Sequence, residues 1–440
     1  MTEPRDKTRS RPSLTGIEVA GFKSIKKARR LAIKPLTVLA GANSSGKSSM
    51  LQPLLLLKQT IDAPFDPGAL RLNGPNLKFT RTEQVLSRPA DGSEVAARRF
   101  SVSFENAAGE ATRFTFACAE SGGFVVESWE ITAPELSLLI RPDATQEEIA
   151  AFAKHLINPH WEPLLWAKPG FVWRLIPDRF SFSLEHQAPP PSEYHTRVPD
   201  PFQKQIFNLR NIIHVPGLRG TPERAYNVAA AEGAFEGHFD PYAASVIDLW
   251  QRKSDDRLRV LQEDLARMQL TAGVETRALN DTQVELRVGL LPDSAEGGTV
   301  NIADVGFGVS QVLPVLVAVL AAGPGQLVLI EQPEIHLHPK AHVALAAILA
   351  REAGRGKLLV VETHSAHVLR GVQTAVAEGG LDPDAVALHW FTRDAKTGQT
   401  EIHDAELDDA GAFGDWPVDF DDVAMDQDER YLRAALKVPG

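Results

Sequence analysis

The eight residues Gly41-Ala42-Asn43-Ser44-Ser45-Gly46-Lys47-Ser48 constrain this chain more than any other stretch. They match G-x-x-x-x-G-K-[ST], a pattern that has meaning only between a strand and a helix. Both flanks are present. Leu36-Thr37-Val38-Leu39-Ala40 reads as a buried strand, and Ser49 to Gln59, rich in Leu, reads as a buried helix. In that setting the backbone N–H groups of Asn43, Ser44, Ser45 and Gly46, the helix N-terminus and Ser49 surround one anion, a polyphosphate. Lys47 is placed to reach the β- and γ-phosphates, and the Ser48 hydroxyl to take Mg²⁺. Gly41 and Gly46 allow backbone geometry that a Cβ would obstruct.

A chain of 440 residues, 43% hydrophobic and 23% charged, has ample material for two or three domains around sizeable cores. No apolar run approaches the roughly 18 residues of a membrane helix, so no membrane association is expected. The first residues, Met-Thr-Glu-Pro-Arg-Asp-Lys, lack a secretory apolar core, and Cys118 is the single cysteine. An internal disulfide framework is therefore excluded, and a cytoplasmic protein is expected. The net charge of −11 argues against a surface that is basic all round but leaves room for a local nucleic-acid groove.

Residues 1–12 are polar and read as disordered. Ile17–Val19 and Leu31–Ile33 read as short strands around the basic segment Gly21–Arg30, either a solvated hairpin or a DNA-facing edge. Segments 98–106, 112–118 and 123–132 suggest an antiparallel meander. Thr145 to Leu156 reads as a helix capped by Thr145. Pro189-Pro190-Pro191 marks a loop within 186–203. Asn211 to Pro216 reads as a buried strand, followed by Arg219 and Arg224, which face either nucleotide, a partner or a salt bridge. Tyr242 to Leu270 has helical spacing, and Val284 to Val288 reads as a strand.

The second half of the site is expected downstream. Gln326-Leu327-Val328-Leu329-Ile330-Glu331 is an apolar strand ending in a carboxylate. Beside the phosphate-loop strand it would bring that acid to Mg²⁺. Lys357 to Ser365 repeats the form and puts His364 at the same edge. Upstream, Gly306, Gly308 and Ser310 precede an apolar helix from Val312 to Leu320 and make a second anion-binding turn. Two such elements so far apart in one chain suggest a composite site shared by two subunits.

These blocks, together with Gly21-Phe22-Lys23-Ser24 and Glu331-Gln332-Pro333-Glu334-Ile335-His336-Leu337-His338-Pro339, give the chain its resemblance to the ABC-type ATPases of the SMC/RecF/OLD-like branch. The resemblance implies an α/β fold, an ABC-type P-loop NTPase head with a β-rich N-terminal lobe and a helical signature lobe. It implies ATP and Mg²⁺ as ligands and a head-to-tail homodimer closed through ATP. It also implies engagement of DNA or a separate effector protein, in the setting of antiphage defence. Carried over by position, Glu331 is the water-mediated Mg²⁺ ligand and His364 the residue that senses the γ-phosphate. Gly306, Gly308 and Ser310 close over the partner's ATP, and Asp304 shapes their turn. The position that usually holds the water-polarising glutamate is Gln332, which cannot accept a proton near neutral pH. Either hydrolysis is slow, or Glu334 supplies the base. A purely structural, nucleotide-bound scaffold is the competing function. A transporter subunit is disfavoured because Gly21–Ser24 and the 306–311 turn are unlike transporter sequences, and the residues after His364 are too few for a Toprim nuclease.

The implied organisation is 1–12 tail, 13–120 N-terminal ATPase lobe, 121–235 insertion, 236–370 helical lobe with signature and switch histidine, and 371–440 strand pair with acidic tail. Three further features are open. Gln84 is a candidate nucleotide-sensing glutamine. His336, His338 and His342 are either structural or a metal cluster, and the acidic residues between 405 and 430 are either a solvated face or a metal-binding group.

Overall fold

The structure, a computed structural model, describes residues 14–88, 98–156, 172–187, 195–198, 202–229, 234–290, 298–414 and 422–435. Its centre is a six-stranded sheet in the order Ile213–Val215, Leu327–Glu331, Leu358–Glu362, Leu36–Gly41, Val386–Arg393 and Thr400–Ala405. The first five strands are parallel, and the last returns antiparallel to the fifth. The continuous apolar runs read from the sequence follow from burial on both faces. Val328, Ile330, Leu359 and Val361 enter one core, while Leu327, Leu329, Leu358 and Val360 enter the other. The first core is closed by helices Phe307–Ala321, Pro339–Gly354 and Ala366–Ala377. The second is closed by helix Lys47–Ile61 and an antiparallel sheet.

That antiparallel sheet has the order Arg29–Ala32, Leu14–Ala20, Arg99–Asn106, Ala111–Cys118, Phe124–Ala133, Leu136–Ile140. It contains both the short strand pair and the meander expected from the sequence. Thr145 does cap helix Gln146–Leu156: its hydroxyl accepts from the Glu148 N–H, and the Glu148 carboxylate accepts from the Thr145 N–H. The α/β class with a β-rich N-terminal lobe is thus the architecture observed. Among the described residues, no helix is long and apolar enough to cross a membrane.

Several expectations need correction. The strand ending at Glu331 is not beside the phosphate-loop strand; Leu358–Glu362 lies between them. The strand pair at 386–405 completes the central sheet, with Val386–Arg393 running directly along Leu36–Gly41. A division at 371 therefore cuts across hydrogen-bonded strands, as do divisions at 121 and 235, which separate Phe124–Ala133 and Ile213–Val215 from their sheets. Tyr242 to Leu270 is two helices, Ala243–Lys253 and Asp256–Arg267. Ser254 takes a left-handed conformation (φ 50°), and Asp255 restarts the helix by accepting the Arg257 N–H. The stretch 186–203 includes a strand, His195–Val198. The helix expected from Val312 begins at Phe307, capped by Gly306, so Gly308 and Ser310 lie in its first turn. The 1–12 tail, Pro189 to Pro191 and residues 415–421 of the acidic tail lie outside the described residues.

One ion pair, buried on its Asp264 side, fastens two helices to each other. Asp264 accepts both terminal nitrogens of Arg351 at 2.7 Å each, and its side chain is buried. This joins helix Asp256–Arg267 to helix Pro339–Gly354. Arg351 is 27% exposed and its Nε also donates to Glu352 at 2.9 Å, so Asp264→Ala would remove two charged hydrogen bonds without isolating the guanidinium, and a loss of about 2 kcal/mol is expected in urea-unfolding free energy. A loss within 0.5 kcal/mol, roughly that of a neutral surface change, would contradict the assignment.

Candidate nucleotide site

The turn from strand Leu36–Gly41 into helix Lys47–Ile61 needs three positive φ angles: 136° at Gly41, 61° at Ser44 and 107° at Gly46. A Cβ on Gly41 would run into the Phe391 carbonyl of the neighbouring strand. The result is a loop with Ala42, Asn43 and Ser44 outward and Ser45 and Lys47 buried. The Lys47 ammonium donates to the carbonyls of Gly41 (3.0 Å) and Ala42 (2.9 Å). Burial lowers its pKa, and the carboxylates of Glu362 and Glu334 act in the other direction. A cavity of about 760 Å³ opens over the loop, lined by residues 44–49 with Lys23, Gln84, Arg88, Glu362 and the turn at 395–399. The segment Gly21–Arg30 therefore contributes to this cavity. Lys23 donates to Gln52 at 2.6 Å and lies over the Phe79 ring.

Ser48 Oγ donates to Glu362, 2.9 Å from one carboxylate oxygen and 3.2 Å from the other. Glu362 was not singled out in the sequence, although it ends an apolar strand as Glu331 does; only the strand order distinguishes the two. Burial raises the Glu362 pKa, Ser48 and Lys47 oppose this, and the carboxylates of Glu331 and Glu334 add to the rise. The serine hydroxyl and carboxylate form a hard-oxygen pair of the kind Mg²⁺ takes.

Glu331 faces away from that pair. Its carboxylate accepts from His214 Nε2 (3.1 Å) and from the Gly217 N–H (3.1 Å). Asn76 donates to His214 Nδ1, which assigns the ring proton to Nε2. Burial alone would raise the Glu331 pKa, but these partners bring it below the ordinary value. Direct juxtaposition of Glu331 with Ser48 is therefore not seen. His214 was missed because nothing in Asn211–Pro216 marks a ring that points at the next strand.

Gln332 sits at φ 45°, and its N–H donates to the Glu362 carbonyl at 2.7 Å. Glu334 turns back to the sheet edge. One carboxylate oxygen accepts from Thr363 Oγ (2.7 Å) and from the His364 N–H (2.9 Å), and the other is buried without a partner among the described residues. His364 is held below its ordinary pKa by burial and by the Lys47 ammonium, so its imidazole is neutral beside the loop. Lys47, Ser48, Glu334, Glu362 and His364 are thus brought to one edge. Arg219 is buried and donates to the carbonyls of Glu331 and Gln332, which makes it a brace for the strand end.

The glycine turn stands elsewhere. Gly306 caps its helix, and a Cβ on Gly308 would come within 3.3 Å of the His336 carbonyl. Ser310 Oγ donates to the Phe307 carbonyl of its own helix at 3.0 Å. Asp304 pairs with Arg224 at 2.6 Å. None of 306–310 lines the cavity. Gln84 does line it, but its side-chain oxygen accepts from the Thr80 and Arg81 N–H groups. His338 caps helix Pro339–Gly354, and His342 bridges Ser365 and the Leu337 carbonyl.

A family model described as "AAA domain, putative AbiEii toxin, Type IV TA system" matches residues 36–370. The chain belongs to that family. The match covers the phosphate loop, the glycine turn and the carboxylate edge, and it supports an ATP-binding ATPase domain. No curated protein matches the sequence. Among solved structures, an SMC head bound to the C-winged helix domain of ScpA is similar at 13% identity and TM-score 0.49, covering 91% of this chain and 99% of that one. The SMC head domain from Thermotoga maritima gives 10% and 0.40, over 90% and 100%. The Pyrococcus furiosus SMC head with an extended coiled coil, bound to the C-terminal domain of ScpA, gives 12% and 0.43, over 96% and 99%.

Two outcomes are expected of this AAA-family site. Glu362→Gln keeps the side-chain shape and an oxygen to accept from Ser48 but removes the negative charge facing it. The gain in ATP affinity on adding Mg²⁺, measured by calorimetry with and without EDTA, should fall on the order of tenfold. Separately, burial leads the lowering of the pKa at His186, His238, His342 and His364. The unfolded chain then binds more protons, so stability is full above the unfolded value of about 6.5 and falls as the pH drops through it. The urea midpoint should be lower at pH 5.5 than at pH 7.5, and His364→Gln should reduce the difference.

Proposed function

We propose that this chain is a cytoplasmic ATP switch. Two copies pair head to tail across two ATP molecules, and the paired form engages a separate effector protein, with DNA as the alternative target. The observation that carries this reading is the gathering of Lys47, Ser48, Glu334, Glu362 and His364 at one edge, while the glycine turn, 306–310, lines no part of the cavity above it. A second copy would supply that turn. The exposed Phe307 beside it, 54% accessible, is the kind of side chain such an interface covers.

In the mechanism we infer, Lys47 exchanges the Gly41 and Ala42 carbonyls for the β- and γ-phosphates. Ser48 and Glu362 would hold Mg²⁺, with Glu331 acting indirectly through water, and the ion would supply charge neutralisation of the phosphates. Gln332 orients the attacking water. Glu334 accepts its proton on the oxygen that has no partner as the bond to the leaving ADP oxygen breaks. A buried base held by Thr363 and the His364 N–H suits slow turnover, in which bound ATP sets the lifetime of the dimer. The family description, with its toxin of a type IV toxin–antitoxin system, supports a read-out through a partner, as antiphage defence would require. The scaffold reading is favoured by one residue, Gln332.

Turnover and mass separate these readings. ATP with Mg²⁺ should double the mass seen by light scattering, and Lys47→Ala should abolish the doubling. Glu334→Gln should lower kcat by about a hundredfold or more and prolong the dimer, and Gln332→Glu should raise it. A mass indifferent to ATP would remove the switch, and undiminished turnover in Glu334→Gln would remove Glu334 as base.

A further inference from the structure

The C-terminal hairpin, assigned no role so far, is tied to the phosphate loop by one buried side chain. Thr400 opens the last strand of the central sheet and is 1% exposed. Its Oγ lies 2.8 Å from the Ser45 carbonyl and 2.7 Å from Ser24 Oγ, and its N–H donates to the Ser24 carbonyl at 2.9 Å. A carbonyl only accepts and a hydroxyl has one proton. The Thr400 proton therefore goes to the Ser45 carbonyl, and Ser24 Oγ–H donates into Thr400. Three distant segments meet at this hydroxyl: the N-terminal turn, the phosphate loop and the hairpin. The contact is also tight: a Cβ on Gly46 would strike Thr400 Oγ. The same hairpin presents Arg393 and residues 395–399 to the cavity that residues 44–49 also line. Arg393 is braced across the turn by donating to the Gly398 carbonyl at 2.9 Å.

We propose that the C-terminal hairpin is part of the nucleotide site and that Thr400 is the positioning residue that sets the phosphate loop. By holding the Ser45 carbonyl inward, it turns the following N–H groups of Gly46, Lys47 and Ser48 toward the cavity, where the triphosphate of a nucleotide is gripped. Turn 395–399 is then the wall that faces the rest of the nucleotide. This rests on the nucleotide reading of the cavity and deepens it. It also makes nucleotide affinity sensitive to anything that moves the hairpin, because the two share a hydroxyl.

The test compares Thr400→Val, which keeps the shape and loses the hydrogen bond, with Thr400→Ser, which keeps the hydroxyl. Lys47→Ala is the control for nucleotide binding itself. ATP affinity is measured by calorimetry, with the rise in melting temperature at saturating ATP as a second readout. Thr400→Val should weaken ATP roughly fivefold, the worth of one ordinary hydrogen bond, and raise KM more than it lowers kcat. Thr400→Ser should recover most of the affinity. A purely structural Thr400 would lower the melting temperature of the free and ATP-saturated protein equally and leave affinity alone, which would overturn the proposal. Should Thr400→Val fail to fold, Ser24→Ala removes the other donor of the junction, with an affinity loss of about twofold expected and an unchanged affinity overturning the proposal. Lys47→Ala losing ATP while Thr400→Val binds normally would sink this inference alone. ATP binding untouched in both would sink the nucleotide reading with it.

Discussion

The hydrogen bond from Ser48 to Glu362 is the contact on which the site depends. It joins the first turn of helix Lys47–Ile61 to the end of a strand more than three hundred residues later in the chain. It exists because Leu358–Glu362 is slotted between the phosphate-loop strand and the strand ending at Glu331. In a parallel sheet, neighbouring strands end at the same edge, so whichever strand lies next to the loop presents its terminal side chain to the loop's hydroxyl. The neighbour here is the one carrying Glu362.

That edge then holds three carboxylates and one buried ammonium, a costly grouping in a low-dielectric setting. Each acid is stabilised differently. Glu331 takes His214 and the Gly217 N–H; Glu334 takes Thr363 and the His364 N–H; Glu362 takes Ser48 and the field of Lys47. These partners fix the carboxylates in orientation while leaving one Glu334 oxygen unpaired. Such an arrangement is rigid, short of positive charge, and suited to receiving a cation with its phosphate ligand.

The linear division of the chain into lobes does not survive the sheet. Val386–Arg393 runs beside Leu36–Gly41, and Thr400 touches Ser45. The phosphate loop is enclosed by residues from both ends of the chain, so its geometry is a property of the completed domain.

The sequence by itself determined the phosphate loop, the alternation of apolar runs that makes strands, the N-terminal meander and the acids at strand ends. Those signals are local: a glycine where φ must be positive, a lysine and a serine at fixed spacing, apolar periods of two or four. It also marked Gln332 as a residue unable to take a proton. Only the tertiary structure decided that Glu362 meets Ser48, that His214 orients Glu331, that Lys23 and the C-terminal turn face the cavity, and that Ser310 bonds within its own helix. Each of these depends on strand order and side-chain direction. Two apolar strands ending in glutamate read alike along the chain, and they differ only in which neighbour the fold gives them.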